Sequence, residues 1–168
     1  MDAHPTALLI DRALIYASLY ELSAVIFGSE GLARQSTGES RDEFDELRIR
    51  HEVGQATKLL IEAAVVMRNL MDGERWPLDV IHEMRTERRP ERTVGTIRLP
   101  SGESKALSFR EACNKLIHAK RVSFGMRDLP SKTPYFDGTA ELHGSLKDQE
   151  WVVELDLSDF IRMAVRQL

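Results

Sequence analysis

The stretch Thr139-Ala140-Glu141-Leu142-His143-Gly144-Ser145-Leu146-Lys147-Asp148-Gln149-Glu150-Trp151-Val152-Val153-Glu154-Leu155-Asp156-Leu157 decides the fold class, because it contains the part of the chain that no helix period accommodates. Thr139–Leu146 and Glu150–Leu157 read as two β-strands around the turn Lys147-Asp148-Gln149. Ser158 stands where it would cap a final helix, Asp159–Gln167, whose apolar side is Phe160, Ile161, Ala164, Val165 and Leu168. Upstream, Arg121–Phe124 reads as a further strand, and Asp128–Asp137, with Pro130 and Pro134, as a loop.

Working further outward, Ser108–Arg121 predicts a helix. Phe109, Ala112, Cys113, Leu116 and Ile117 recur with helical spacing, and Ser108 with Glu111 three residues on forms a capping box. Before it, Thr93–Leu99 and Ser104–Leu107 predict a small hairpin turned by Pro100-Ser101-Gly102. Residues Arg85–Arg92 form an arginine-rich connector interrupted by Pro90, preceded by a short helical segment, Leu78–Met84. Two long helices open the chain. The first runs from Ala7 to Phe27 until Gly28 ends it, followed by a loop over Gly28–Glu39. The second runs from Arg41 to Met71, capped by Ser40 with Glu43 and closed by Asp72-Gly73. Its second half carries the clean apolar period Ala56, Leu60, Ala63, Ala64, Met67, Leu70 and is expected to pack on the first helix.

The expected architecture is α+β, mainly α: a helical bundle with a small antiparallel β-hairpin or sheet and a C-terminal helix, in a single domain over residues 1–168. Within it, residues 1–84 form the helical part, 85–107 the connector and short hairpin, 108–121 the motif helix, and 122–168 the hairpin with the last helix. A chain of 168 residues and this composition, 42% hydrophobic and 30% charged, can bury one core. The formal net charge of −4 provides no global positive field for nucleic acid, so any such binding requires a local patch. One cysteine, Cys113, on an apolar helical face excludes a disulfide framework and reads as a packed small hydrophobe. With no basic n-region before the first apolar run, and with Asp11, Arg12 and Glu21 inside that run, the expectation is a cytoplasmic protein with no membrane span.

The first helix is apolar on more than one face: Leu8, Leu9, Ile10, Leu14, Ile15, Leu19, Leu22, Val25 and Ile26 cannot all point one way. It is therefore central in the bundle or shared with a second copy, and a homodimer is expected. No metal or other cofactor is expected. Asp79-x-x-His82 lacks the second histidine of a zinc helix, and there is no Walker-type loop and no GxGxxG. Trp76 and Trp151 read as core anchors.

The chemistry worth following lies on the polar side of the Ser108 helix, where Arg110, Asn114 and His118 form one stripe at i, i+4 and i+8. Asn114-x-x-x-His118, with Leu116-Ile117 before the histidine and Ala119-Lys120 after it, resembles the signature helix of the HEPN superfamily. These are helical-bundle proteins of bacterial toxin–antitoxin and phage-defence systems, several of them metal-independent ribonucleases. In that family an arginine precedes the polar residue, and here Cys113 occupies its position. The resemblance implies that such an arginine steadies the scissile phosphate while the histidine takes part in proton transfer during attack by the ribose 2′-hydroxyl. Of the other arginines, Arg110 lies about 12 Å along the axis from His118, whereas Arg121 leans back toward it if the helix extends that far.

Three readings follow. The first is a HEPN-like binding protein, for RNA or a partner protein, using Arg110, Arg85, Arg88 and Arg89 toward phosphate. The second is a ribonuclease with His118, Asn114 and Arg121 as its catalytic group. The third is an interaction module in which Asn114 and His118 merely finish a helix, where a histidine suits the dipole.

Overall fold

The computed structural model describes residues 12–37, 42–73, 93–131, 133–147 and 149–168. It is α+β, mainly helical. Among the described residues, four helices, α1 (Arg12–Gln35), α2 (Glu43–Gly73), α3 (Phe109–Ile117) and α4 (Leu157–Gln167), lie on one face of a five-stranded antiparallel sheet. Its strands are β1 (Gly95–Arg98), β2 (Ser104–Leu107), β3 (Arg121–Asp128), β4 (Pro134–Leu146) and β5 (Gln149–Asp156), in spatial order β2-β1-β5-β4-β3. The Leu78–Met84 segment and the Arg85–Arg92 connector lie outside the described residues.

The two predicted hairpins are both present, and they are parts of one sheet. β1 pairs with β2 around Gly102, whose φ of 83° suits the turn, and β4 pairs with β5 in register Leu146↔Gln149. β1 also pairs with β5, and β3 with β4, pairings between segments far apart in sequence. Alternation along each strand sends Ile97, Leu107, Ala140, Leu142, Trp151, Val153 and Leu155 toward the helices. Trp151 is a core anchor as expected. It covers the position opposite it, Gly144, where a Cβ would come within 2.0 Å of the indole.

α1 is longer than Gly28 would allow on propensity alone. The helix passes through Gly28 and Gly31 to Gln35, because Ile26, Ser29 and Ala33 continue the buried stripe begun by Ile15, Leu19 and Leu22. Tertiary packing outweighs a cost of about 1 kcal/mol per glycine. The helix is not central, since only that one stripe is buried. α2 runs back antiparallel to it: Ser36 meets Asp45, Ser29 meets Arg48 and Glu52, and Glu21 meets Gln55, in reverse order along the two segments.

The cap of α2 is Asp42, whose carboxylate accepts the backbone N–H groups of Phe44 (3.0 Å) and Asp45 (3.2 Å) and both the N–H and the hydroxyl of Thr37. The predicted capping residue, Ser40, lies outside the described residues. These bonds, led by that from the Thr37 N–H, hold the Asp42 carboxyl below its ordinary value of 3.8, against the opposing effect of burial. A carboxylate with a depressed folded-state pKa stabilises above its unfolded value and loses that contribution as pH falls through the folded one. Asp42→Ala is therefore expected to lower the melting temperature at pH 7, and the gap to the wild type should narrow as pH falls below 3.8. Paired thermal melts across that range check this; a gap that stays constant would mean the charge is not what caps the helix.

The Asp128–Asp137 loop is reduced to a turn, because Pro134 is the first residue of β4, opposite Asp128 and beyond the stretch that β5 pairs, a strand position where proline is tolerated. A bulge between Phe124 and Met126 centres on Gly125, where a Cβ would strike the Thr139 hydroxyl at 2.1 Å and the Asp137 carboxylate at 2.3 Å. At the other end, α4 is capped by Asp156, which accepts the Asp159 N–H at 2.9 Å; Ser158 already lies inside the helix.

Candidate functional site

α3 is shorter than predicted, and this sets the geometry of the motif. Ser108 accepts the Glu111 N–H as the capping box requires, and the helix ends at Ile117 with His118 as its C-cap (φ −103°, ψ 6°). The chain cannot stay helical beyond that point because β3 begins almost at once. Lys120 N–H donates to the His143 carbonyl at 2.8 Å, and Arg121 takes its place opposite His143 in the sheet. Arg121 is thus the first residue of a strand and does not lie on the motif helix.

The inner face of α3 is firmly packed. Phe109, Ala112, Cys113 and Leu116 are buried, Phe109 stacks at 5.1 Å on Phe160 of α4, and Lys115 lies 4.4 Å from the Trp151 ring centroid. Burial pushes the Cys113 thiol up to about 12, with the positive charge of Arg68 opposing it, so this cysteine is an unreactive core residue. The outer side carries the predicted stripe. His118 is exposed and Asn114 half-buried one turn before it. The imidazole makes no hydrogen bond or ion pair among the described residues; only the His118 backbone N–H is engaged, by the Asn114 carbonyl at 3.2 Å.

The arginines expected beside His118 are engaged elsewhere. Arg110, at the opposite end of α3, donates to Asp72 Oδ1 at 2.5 Å and ties α3 to the end of α2. Asp72 also lies 3.0 Å from Arg68 Nη1. The Arg121 guanidinium reaches His143 Nε2 at 2.8 Å, and the same nitrogen lies 2.5 Å from Glu141 Oε1. One nitrogen cannot serve both: unprotonated it accepts from Arg121, and protonated it donates to Glu141. Arg85, Arg88 and Arg89 lie outside the described residues, as do Trp76, Asp79 and His82.

The face of the sheet turned away from the helices was not singled out from the sequence. Cross-strand register brings Arg98, Val152, His143 and Arg121 into one row and Thr96, Glu154, Glu141 and Ser123 into the next. Its signal was the period-two alternation of β4, which places Glu141, His143 and Ser145 on one side. Arginines and glutamates are interleaved there, so this face offers no uniform charge to an anion. Among the described residues, no group of three or more His, Cys, Asp or Glu could hold a metal ion. No described helix is long and apolar enough to cross a membrane.

Both long helices expose large apolar side chains, Ile49 and Val53 among them on α2, and on α1 the exposed set is largely aromatic. Tyr16 is 46% exposed and Tyr20 78%, both off the buried stripe, and Phe27, 52% exposed, has its ring edge beside Gly138 of β4. Beside them, Tyr16, Leu19, Tyr20, Ser23, Ile161 and Val165 line an apolar groove between α1 and α4. Compared with models of protein families, with curated proteins and with solved structures, the chain matches none.

Proposed function

We propose that the chain is a binding protein that associates through α1 as a homodimer, with the polar Asn114–His118 ridge left free for a ligand. The observation that carries this reading is the exposed aromatic face of α1. Burying a large apolar side chain contributes about 1.5–3 kcal/mol, and monomers rarely leave contiguous apolar patches in water. Sedimentation equilibrium over the micromolar range tests it: a reversible monomer–dimer equilibrium is expected, and a monomer at every concentration would overturn it.

A second reading has its own support in the exposure of the His118 imidazole, with Asn114 one turn before it. By resemblance to the HEPN superfamily, this would be a metal-independent ribonuclease of a bacterial defence or toxin–antitoxin system. His118 would act in proton transfer and the clamping arginine would come from a second subunit or from Arg121 released by His143. Cleavage of RNA in EDTA, abolished by His118→Ala, is the result expected on this reading. His118→Ala should leave stability within about 0.5 kcal/mol of the wild type, since its imidazole bonds to no described residue. A melting temperature that drops clearly would instead assign the ring a structural role.

A further inference from the structure

We infer that β3 is a docking edge, to which an extended segment of another protein adds as a further strand, its acidic side chains alternating with apolar ones. This goes beyond association through α1 and does not depend on the His118 ridge.

Two strands end the sheet, β2 on one side and β3 on the other. An edge strand leaves the backbone N–H and C=O groups of every second residue outside the ladder, where they can template another strand. β2 is protected against this. It has only 4 residues, and Lys105, opposite the buried Ile97, stands on the helical side, where an added strand would have to cover its charge. β3 lacks both protections. It is 8 residues long and contains no proline, and its edge backbone groups bond to nothing among the described residues. The irregularity beside Gly125 does not blunt the edge, because Ala140 and Phe136 pair with Phe124 and Met126 and the extra residues, Asp137, Gly138 and Thr139, belong to β4. β3 itself keeps its alternation.

That alternation gives the edge two different sides. Val122, Phe124 and Met126 point toward the helices, yet α1 packs over β4, one strand in, so Val122 and Phe124 stay only half-buried and Met126 is 46% exposed. An added strand with apolar side chains on this side would take them out of water. On the opposite side stand Arg121, Ser123, Gly125 and Arg127. Arg127 is exposed and bonds to no described residue, and Arg121 spends one nitrogen on His143. The nearest carboxylates, Glu141 and Asp137, are one strand further in, where His143 and Thr139 engage them.

Charge selects the occupant. On the arginine side β3 carries no carboxylate, so no register of two paired β3 strands supplies one. Centring such an antiparallel pair on Phe124 sets Arg121 of each copy against Arg127 of the other, like charges directly opposite. A strand from another protein with acidic residues on that side has what β3 lacks, and its backbone completes the open ladder.

The full chain is titrated with a short synthetic peptide alternating valine and glutamate, and with a control in which lysine replaces glutamate. The glutamate peptide is expected to bind saturably and to slow amide exchange across Val122–Arg127 and not across β2. Arg127→Glu is expected to weaken that binding about tenfold or more at an unchanged melting temperature, since it alters an exposed side chain. Equal binding of the two peptides would remove the acidic partner and overturn the inference. So would the absence of saturable binding, or protection that falls outside β3. If the β3 amides of the protein alone become protected as its concentration rises, a second copy covers the edge, and the inference is again overturned.

Discussion

Arg48→Ala is expected to destabilise the fold by about 3–5 kcal/mol, the characteristic loss when one partner of a buried ion pair is deleted. Arg48 lies in the polar first half of α2, where a charged side chain ordinarily faces water, yet it is only 6% exposed. Its guanidinium is spent on three elements at once. Nε donates to Glu52 Oε1 at 3.1 Å, Nη1 lies 3.4 Å from Asp45 Oδ1, and Nη2 reaches the Ser29 hydroxyl of α1 and the Pro134 carbonyl at the start of β4. Ser29 in turn donates to Glu52 at 3.0 Å and accepts the Phe136 N–H at 3.3 Å. The network is where the helical hairpin is fastened to the sheet.

Truncation to alanine would leave the Glu52 carboxylate and the Pro134 carbonyl short of a donor in a place water reaches poorly. Arg48→Lys should recover only part of the loss, because a single ammonium cannot present a planar fork to acceptors on three elements. If burial of an unpaired charge is the cause, Arg48→Met with Glu52→Leu should be more stable than Arg48→Ala alone, since the pair is then removed together. Urea unfolding of the four proteins decides this, and a loss below about 1 kcal/mol for Arg48→Ala would show that the network adds little to the fold.

That network also marks where sequence reasoning stops. A helical period identifies Arg48 as a polar residue on a polar segment, and nothing local reveals that β4 will cover it. The same boundary separates the other successes and failures. The Lys147 hairpin, the Gly102 hairpin and the packing of α2 from Ala56 to Met67 were legible because each depends on residues close in sequence. The union of both hairpins into one sheet depends on β1 meeting β5, more than 50 residues away by number, for which no local signal exists.

Gly28 and Pro134 were legible as breakers but were overruled, the first by the burial of Ser29 and Ala33 and the second by its place as the first residue of β4. For the site, the i, i+4 spacing expected of Asn114 and His118 ends with Asn114 half-buried on α3 and His118 exposed as its C-cap. Extending that helix to Arg121 failed because Val122 and Phe124 are taken into β3, where register against β4 pairs Arg121 with His143. Strand register, unlike helix phase, is a property of two segments. The contact that occupies Arg121 was therefore invisible until both were in place.

Phe160→Ala is the other large effect, about 3–5 kcal/mol, or on the order of 10 °C in melting temperature for a chain of this size. Phe160 has no exposed surface and is among the largest fully buried side chains of the core. It extends from α4 beneath α3, with its ring 5.1 Å from that of Phe109 and tilted by 46°. Deleting it removes the transfer free energy of the ring and leaves a cavity between two short helices of 9 and 11 residues, neither of which holds together without packing. Val165, on the same helix but 41% exposed, gives the contrast: Val165→Ala should change stability by less than about 1 kcal/mol.

The consequence should reach the motif. α3 presents Asn114 and His118 only as long as its inner face is held, so amide hydrogens of Ala112, Cys113 and Leu116 should lose exchange protection in Phe160→Ala before those of Leu59, Leu60 and Ala63 in α2. Equal loss in both helices would mean that α3 opens only with the whole molecule. In that case the rigidity of the His118 ridge would be set by the global core and not by α4.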